Sequence, residues 1–164
     1  MCLLNDLSHT CCFLGHRTIG ETEELKIQLR NTIETLIENY GVTTFLFGSK
    51  SRFNNLCYEI TSEIKKKYNH IQRIYVRAEF PEIEEDYEKY LLEFYEYTYF
   101  PESALNAGKA VYIKRNREMI DKSRFCVFYY SKTSEPTKRN SGTKIAYDYA
   151  VHKKRKIYSM PLCR

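Results

Sequence analysis

Long apolar runs, secretion signals and repeats are all missing from this sequence. No apolar run approaches the roughly 20 residues that a membrane-spanning helix needs, so we expect no membrane association. Residues 1–9 contain neither a basic segment nor a long apolar one, so we expect no signal peptide and a cytoplasmic location. Internal repeats and low-complexity segments are also absent, which excludes a solenoid or a biased linker.

Metal-binding and disulfide patterns are missing as well, although cysteine itself is present. The six cysteines include no Cys-x-x-Cys pair and have no histidine at zinc spacing. Several of them lie inside apolar runs, which is typical of small buried side chains in a reduced compartment. The sequence therefore predicts no metal site, no disulfide framework and no resident cofactor.

The composition is typical of one globular domain, but the charged residues are unevenly distributed along the chain. The 164 residues are 43% hydrophobic and 29% charged, and the net charge is only +5. Residues 79–96 carry eight carboxylates and one lysine, whereas residues 109–164 carry fifteen lysines or arginines and four acids. A basic C-terminal third attracts phosphate, either on a nucleotide or on a nucleic acid. The alternative is an ordinary solvated surface with clustered charges.

Short apolar runs alternate with amphipathic segments along the chain. The predicted strands cover residues 10–15, 43–47, 73–76, 110–113, 124–130 and 156–160. The predicted helices cover residues 21–40, 87–94, 116–122 and 142–153, with a further helix after the polar loop 49–54. Because parallel strands need crossover connections, this alternation predicts an α/β fold with a mostly parallel sheet.

An acidic, tyrosine-rich segment at residues 79–108 interrupts the alternation. We interpret it as an insertion within a single domain of residues 1–164, of which residues 1–9 form an N-terminal extension. Exposed tyrosines favour contact surfaces because their rings supply apolar area with a polar tip. The segment is therefore a candidate homo-oligomer interface or lid, and packing against the sheet is the alternative.

Two predicted strands end at glycines. Gly15 is followed by His16 and Arg17, and the second strand ends at Gly48. In parallel α/β sheets, ligands bind outside the carboxyl ends of the strands, and glycine lets the backbone approach a ligand closely. We therefore predict that both strand ends border one anion site, with ordinary turns as the alternative.

Two further segments carry groups that bind anions. Ser141, Gly142 and Thr143 open the last predicted helix, where free N–H groups and the helix dipole attract negative charge; the alternative is a helix cap. Arg115 and Arg117 flank Asn116, and two guanidinium groups can clamp a phosphate. Alternatively, one arginine of this pair forms a structural ion pair with a nearby carboxylate.

Taken together, these motifs resemble the SLOG superfamily, the Rossmann-like group of the DNA-processing and LOG proteins. Four segments carry the resemblance, in order: Cys-Phe-Leu-Gly-His-Arg, Phe-Gly-Ser with Phe-Asn and Glu59 beyond it, Arg-Asn-Arg-Glu-Met-Ile-Asp-Lys-Ser, and Ser-Gly-Thr-Lys-Ile-Ala-Tyr-Asp-Tyr-Ala. The uncharacterised bacterial YpsA-like proteins are the nearest branch. The resemblance implies a Rossmann-like three-layer sandwich with a nucleotide pocket lined by Gly15, His16, Arg17, Gly48, Ser49, Asn54, Arg115, Asn116, Ser141, Gly142 and Thr143.

Two departures from the family pattern affect the implied function. Relatives carry Gly-Phe-Asp where this chain has Arg52, Phe53 and Asn54, which removes a carboxylate and adds a cation, and so favours a more anionic ligand. LOG enzymes cleave the N-glycosidic bond of nucleoside monophosphates, and Ala146 stands at the position of their catalytic glutamate. An alanine cannot stabilise an oxocarbenium-like transition state.

The sequence thus favours a module that senses or sequesters a phosphorylated, nucleotide-derived ligand without turning it over. The first alternative is a LOG-like phosphoribohydrolase in which Glu59 or Asp148 replaces the lost acid and Arg115 takes part. The second alternative is a single-stranded nucleic-acid binder that uses the basic C-terminal third, including the loop at residues 131–141.

Overall fold

The computed structural model describes residues 7–130 and 141–162, and within them strands alternate with helices. The strands are β1 (Thr10–Gly15), β2 (Thr44–Phe47), β3 (Gln72–Val76), β4 (Tyr97–Tyr99), β5 (Phe125–Tyr129) and β6 (Lys156–Met160). The helices are α1 (Glu23–Tyr40), α2 (Arg52–Lys65), α3 (Glu85–Leu92), α4 (Val111–Asp121) and α5 (Gly142–His152). None of these helices combines the length and the apolar character needed to cross a bilayer.

All six strands form one parallel sheet in the order β4-β3-β2-β1-β5-β6. The chain runs outward from β1 through β2, β3 and β4, and then returns to add β5 and β6 on the other side of β1. The direction of winding therefore changes between β1 and β5, which is the switch point where parallel sheets bind ligands. The predicted α/β fold, a Rossmann-like sandwich with a parallel sheet, is confirmed.

The continuous apolar runs of the strands follow from burial on both faces of the sheet. In β1, Cys11 and Phe13 pack into the core beneath α1 and α2, whereas Cys12 and Leu14 pack against residues of α4 and α5. Each of these four side chains is at most 4% exposed. The sheet is thus the middle layer of three, with a separate apolar core on each side.

Local capping sets the helix boundaries near the carboxyl ends of the strands. The Thr22 hydroxyl accepts a hydrogen bond from the N–H of Leu25 at 3.1 Å, and α1 ends at Gly41 in the left-handed region. The Ser51 hydroxyl caps α2 in the same way, so Asn54 lies in the first helical turn. The prediction of a loop through residue 54 was therefore wrong by three residues, because the serine cap starts the helix earlier.

The segment at residues 79–108 is more integral to the fold than predicted. It contains the predicted short helix, here α3, but it also supplies β4, an edge strand that pairs with β3. The predicted strand at 110–113 is wrong, because these residues lie in the first turns of α4, which buries Arg115, Met119 and Ile120 further along. A four-residue apolar run is compatible with a strand or with a helix, and here packing against the sheet favours the helix.

Glu96, directly before the edge strand β4, accepts hydrogen bonds from Arg73 of β3, and these bonds make the free energy of unfolding depend on pH. Its carboxylate accepts hydrogen bonds from the backbone N–H of Arg73 at 2.7 Å and from the guanidinium of Arg73 at 2.8 Å. Burial alone would raise the pKa of Glu96, but these bonds outweigh it and lower the pKa below the ordinary value of 4.5. A carboxylate with a depressed folded-state pKa stabilises the fold above its unfolded pKa, and this contribution disappears as the pH falls.

We therefore expect acid to destabilise the wild-type protein more than Glu96→Gln. The measurement is the free energy of unfolding by denaturant, near neutral pH and again below pH 4.5. The exposed neighbour Glu93 provides the control variant, Glu93→Gln, which should retain the wild-type pH dependence. Equal acid sensitivity of wild type and Glu96→Gln would contradict the assigned role of this carboxylate.

Candidate functional site

A cavity of about 660 Å³ lies at the carboxyl ends of β1, β2 and β3, beside the start of α5. Ten of the eleven residues predicted to bind a ligand line it, although they come from four separate parts of the sequence. They are Gly15, His16, Arg17, Gly48, Ser49, Arg115, Asn116, Ser141, Gly142 and Thr143. The parallel sheet brings these segments together because the carboxyl ends of all its strands meet at one edge.

The loop after β1 forms one wall, and Gly15 has a packing role there besides the predicted one. A Cβ atom at Gly15 would lie 2.4 Å from the ring of Phe53, which is fully buried. Core packing therefore requires the glycine, which also lines the cavity as predicted. Beyond it, the backbone N–H of His16 donates to the carbonyl of Tyr129 at 3.2 Å, and the exposed Arg17 extends the wall with a positive charge.

Arg115 places a buried positive charge at the base of the cavity. Its side chain rises from α4, is only 4% exposed, and donates to the carbonyl oxygens of Gly48 and Val76 at the ends of β2 and β3. Burial lowers the pKa of this guanidinium, although the nearby Glu79 carboxylate opposes that shift, and no carboxylate among the described residues is close enough to form an ion pair with it. Its Nε donates to the side-chain oxygen of Asn116 at 2.9 Å, which holds both residues in place.

Gly48 is the position where Arg115 and the end of β2 meet. A Cβ atom there would lie 2.7 Å from Cδ of Arg115 and 2.6 Å from the sulfur of Met119. Only glycine therefore lets α4 approach the end of β2 closely enough for the guanidinium to reach the strand carbonyls. Arg117 projects elsewhere, over the ring of Tyr149 at 5.0 Å, so only Arg115 of this pair lines the cavity and the two do not form a clamp.

The N-terminus of α5 opens onto the cavity, and Ser141 acts there as a cap. Its hydroxyl accepts a hydrogen bond from the backbone N–H of Lys144 at 3.0 Å. Gly142 and Thr143 occupy the first turn, where N–H groups have no partner within the helix. A Cβ atom at Gly142 would contact no atom of the described residues within 4 Å. The capping alternative thus holds for Ser141, while the next two residues present backbone N–H groups to the cavity.

A second helix start borders the site just after β2. Ser51 caps α2, and the hydroxyl of Ser49 donates to that of Ser51 at 2.8 Å. Lys50 lies between them, is exposed, and adds a third cation to Arg17 and Arg115. Lys50 was not among the predicted residues, although its position directly after a strand that ends in Gly-Ser was a usable signal.

Asn54 is the predicted site residue that does not line the cavity. It is 2% exposed and lies behind the cavity wall. Its amide oxygen accepts from the N–H of Gly48 at 3.3 Å, and its amide nitrogen donates to the carbonyl of Phe13 at 3.3 Å. Asn54 therefore braces the ends of β1 and β2 against each other, a role that became possible because α2 starts before it.

The cavity lining also includes residues that the sequence analysis missed, and they lie beside Arg115, whose guanidinium is 5.7 Å from the centre of the Tyr112 ring. They are Tyr75, Ala78, Glu79 and Tyr112, and the hydroxyl of Tyr112 donates to the carboxylate of Glu79 at 2.7 Å. This hydrogen bond raises the pKa of the Tyr112 phenol. Glu79 is the only carboxylate among the described residues of the lining. It follows β3 as Arg17 follows β1, so the strand-end rule applied to the third strand would have found it.

The acids proposed for an enzymatic alternative lie outside the cavity. Glu59 is 58% exposed and pairs with Arg52 at 3.3 Å, and Asp148 is 58% exposed and pairs with Lys144 at 2.6 Å. Ala146 is buried and also does not line the cavity. None of these three positions is placed to act on a molecule bound there.

The extra cation at position 52 does not face the cavity either. Arg52 binds Glu21 through two hydrogen bonds, at 2.5 and 2.7 Å, in addition to its ion pair with Glu59. Its charge is thus neutralised on the surface of α2. The expectation that Arg52 makes the pocket more favourable for an anionic ligand is not supported by this geometry.

The charge balance of the lining favours an anion. Arg17, Lys50 and Arg115 face a single carboxylate, and among the described residues no cluster of three or more potential metal ligands occurs. Most of the basic loop predicted to bind nucleic acid, residues 131–140, lies outside the described part of the chain. A comparison of the sequence with known family models and with curated proteins finds no match.

Proposed function

We propose that this chain is a binding module for a nucleotide or a nucleotide-derived phosphorylated ligand, held at the carboxyl ends of the strands. The observation that carries the proposal is the buried guanidinium of Arg115, which borders an open cavity and forms no ion pair among the described residues, the longer-range attraction of Glu79 aside. A buried charge is costly unless it is paired, so an anion in the cavity would supply the missing counter-charge.

The backbone around the cavity also provides groups that bind phosphate. The first turn of α5 presents the N–H groups of Gly142 and Thr143, and the dipole of that helix favours negative charge. Both this helix start and Arg17 flank the switch point between β1 and β5, where nucleotides bind in parallel sheets. A phosphate there would meet N–H donors and a guanidinium together.

The side chains beside Arg115 suit the nucleoside part of such a ligand. The Tyr112 ring is 49% exposed, has the Arg115 guanidinium 5.7 Å from its centre, and supplies further aromatic surface on which a base can stack. The Glu79 carboxylate accepts hydrogen bonds and would take them from ribose hydroxyls or from the N–H groups of a base. The resemblance to the SLOG superfamily supports the same proposal, because its members carry nucleotide pockets at this edge of the sheet.

The proposal describes binding without turnover. N-glycosidic cleavage needs a carboxylic acid beside the scissile bond, and neither Glu59 nor Asp148 lines the cavity. Incubation with nucleoside monophosphates is therefore expected to release no free base. Release of base, lost in Glu79→Gln, would instead identify a LOG-like activity that uses the one carboxylate of the lining.

Thermal denaturation in the presence of ligands tests the proposal directly. We expect the melting temperature to rise with the concentration of at least one nucleoside phosphate, cyclic dinucleotide or ADP-ribose derivative, since a ligand that binds only the folded state stabilises it by mass action. Inorganic phosphate and the matching unphosphorylated nucleoside are the control ligands, and each should have a smaller effect. The absence of a shift with every phosphorylated ligand would refute the proposal.

Gly142→Ala separates ligand binding from folding. The added methyl group meets no atom of residues 7–130 or 141–162 within 4 Å, and alanine is favoured over glycine in a helix by about 0.5–1 kcal/mol, so the melting temperature without ligand should stay equal or rise. The same methyl group would crowd a phosphate at the helix start, so the ligand-induced shift should shrink. Gly20→Ala, at a glycine outside the cavity, is the matched control and should keep the full shift. An undiminished shift in Gly142→Ala would exclude close approach of the ligand to this backbone.

A further inference from the structure

One edge of the sheet carries a strip of exposed aromatic rings that the nucleotide site does not use. The helix α3 buries only Leu91 among its eight residues. Beside it, four rings form a continuous series, from Phe80 to Tyr87 at 6.1 Å, to Tyr90 at 6.2 Å, and to Phe94 at 5.2 Å. Phe80 and Tyr90 are 58% and 54% exposed. A helix with one buried residue and a strip of open rings is typical of a contact surface.

The same edge is strongly negative. Residues 79–96 hold eight carboxylates and one lysine, and that lysine pairs with Glu85 at 3.1 Å. Six of these eight carboxylates form no ion pair with any residue in the described part of the chain: Glu79, which borders the cavity, and Glu82, Glu84, Asp86, Glu88 and Glu93. We refer to the surface formed by residues 80–94, beside the edge strand β4, as the acidic edge.

The opposite edge of the sheet is positive. The strand β6 closes that edge, and the turn that leads into it contains His152, Lys153, Lys154, Arg155 and Lys156. All of these except Arg155 are exposed, and the adjacent Val151 is 53% exposed and apolar. Only Lys153 among them forms an ion pair with a described residue, to Asp121 at 3.7 Å. We refer to residues 151–156 as the basic edge.

We propose that this chain associates with further copies of itself head to tail, with the acidic edge of one copy against the basic edge of the next. A two-fold symmetric dimer through the acidic edge would bring each set of carboxylates against an identical set, and like charges repel. A head-to-tail contact instead joins opposite charges and covers the exposed rings. The chain itself therefore supplies the complementary surface for its own acidic edge.

The position of the two surfaces predicts the form of the assembly. Six strands separate the edges by five spacings of about 4.8 Å, or about 24 Å, so one contact leaves the other edge of each copy free. Such a heterologous contact produces rings or open chains rather than a closed dimer. The nucleotide site plays no part in this inference, because no residue of α3 or of the basic edge lines the cavity.

Sedimentation velocity of the full chain tests the assembly. The wild type is expected to form species larger than a dimer as its concentration rises at low salt, and to dissociate at high salt because screening weakens the contact between the charged edges. The acidic-edge variant combines Glu84→Gln, Glu85→Gln, Glu88→Gln and Tyr90→Ala. The basic-edge variant combines Lys153→Gln, Lys154→Gln and Lys156→Gln. Each variant alone should be monomeric, with the dissociation constant raised on the order of tenfold or more.

A mixture of the two variants gives the decisive result. Each variant keeps the edge that the other lacks, so a one-to-one mixture should form a heterodimer and nothing larger. Circular dichroism melts of each variant confirm that the fold is retained, and the single substitutions Glu88→Gln and Lys154→Gln replace a variant that unfolds. A wild type that stays monomeric at low salt would overturn the proposal. Self-association that persists in the basic-edge variant would also overturn it, and would indicate a two-fold contact instead.

Discussion

Arg115→Met is expected to abolish most of the thermal stabilisation that a phosphorylated ligand gives to this protein. Methionine approximates the length and apolar stem of the arginine but carries no charge and donates no hydrogen bond. A hydrogen bond to a charged group contributes about 1.5–3 kcal/mol, so the affinity should fall roughly 10- to 150-fold. Isothermal titration calorimetry with the best ligand from the thermal screen measures this loss directly.

The same substitution should change the stability of the ligand-free protein much less. Arg115→Met removes the hydrogen bonds to the carbonyls of Gly48 and Val76, but it also removes a charge that burial disfavours, as the lowered pKa of the guanidinium indicates. Arg117→Met is the matched control, since this arginine lies on the same helix, stacks on Tyr149 and does not line the cavity. If both variants bind the ligand like the wild type, Arg115 is a purely structural arginine.

Asn54→Leu is expected to lower the free energy of unfolding by about 2–4 kcal/mol without altering any residue of the cavity lining. The leucine would leave the N–H of Gly48 and the carbonyl of Phe13 without their side-chain partner in a site that is 2% exposed. An unsatisfied buried polar group costs about 1–3 kcal/mol. For a domain of this size, the corresponding fall in melting temperature is roughly 5–15 °C.

The neighbouring position offers the control for this prediction. Asn55 is exposed on the same turn of α2, so Asn55→Ala should change the free energy of unfolding by less than about 0.5 kcal/mol. Asn54→Asp should be at least as destabilising as Asn54→Leu near neutral pH, because its buried carboxylate would have no cation partner and one of its oxygens would face the carbonyl oxygen of Phe13. Equal stability of Asn54→Leu and Asn55→Ala would show that the brace between the two strand ends contributes nothing.

Most of the fold could be predicted from the sequence, because the strands buried on both faces have continuous apolar runs. The four distant segments that line the cavity were predicted together for a related reason, since parallel strands present their carboxyl ends at one edge. The predicted set also included Asn54, which is buried behind the wall. Its inclusion rested on the resemblance to the SLOG superfamily, whereas the cap at Ser51 starts α2 early enough to place Asn54 in the first helical turn, behind the wall.

The remaining differences have tertiary causes. The run at residues 110–113 fits a strand and a helix equally well, and only the packing of α4 against the sheet distinguishes them. The three-residue strand β4 carries no periodic signal of its own and is held in place by Glu96 and Arg73. Glu79 was grouped with the acidic segment that follows it, although its position at the end of β3 makes it part of the cavity. Membership of the SLOG superfamily stays a prediction.

The contact between Gly15 and Phe53 has a consequence for how this protein can vary. The missing Cβ at position 15 is filled by the ring at position 53, with only 2.4 Å between the ring and the place where that Cβ would be. Alanine at position 15 therefore becomes acceptable only when a smaller residue replaces the phenylalanine, and a double-mutant cycle should show strong coupling between the two positions. Related chains with this fold should then change residues 15 and 53 together, and such paired substitutions would identify the contact between β1 and α2.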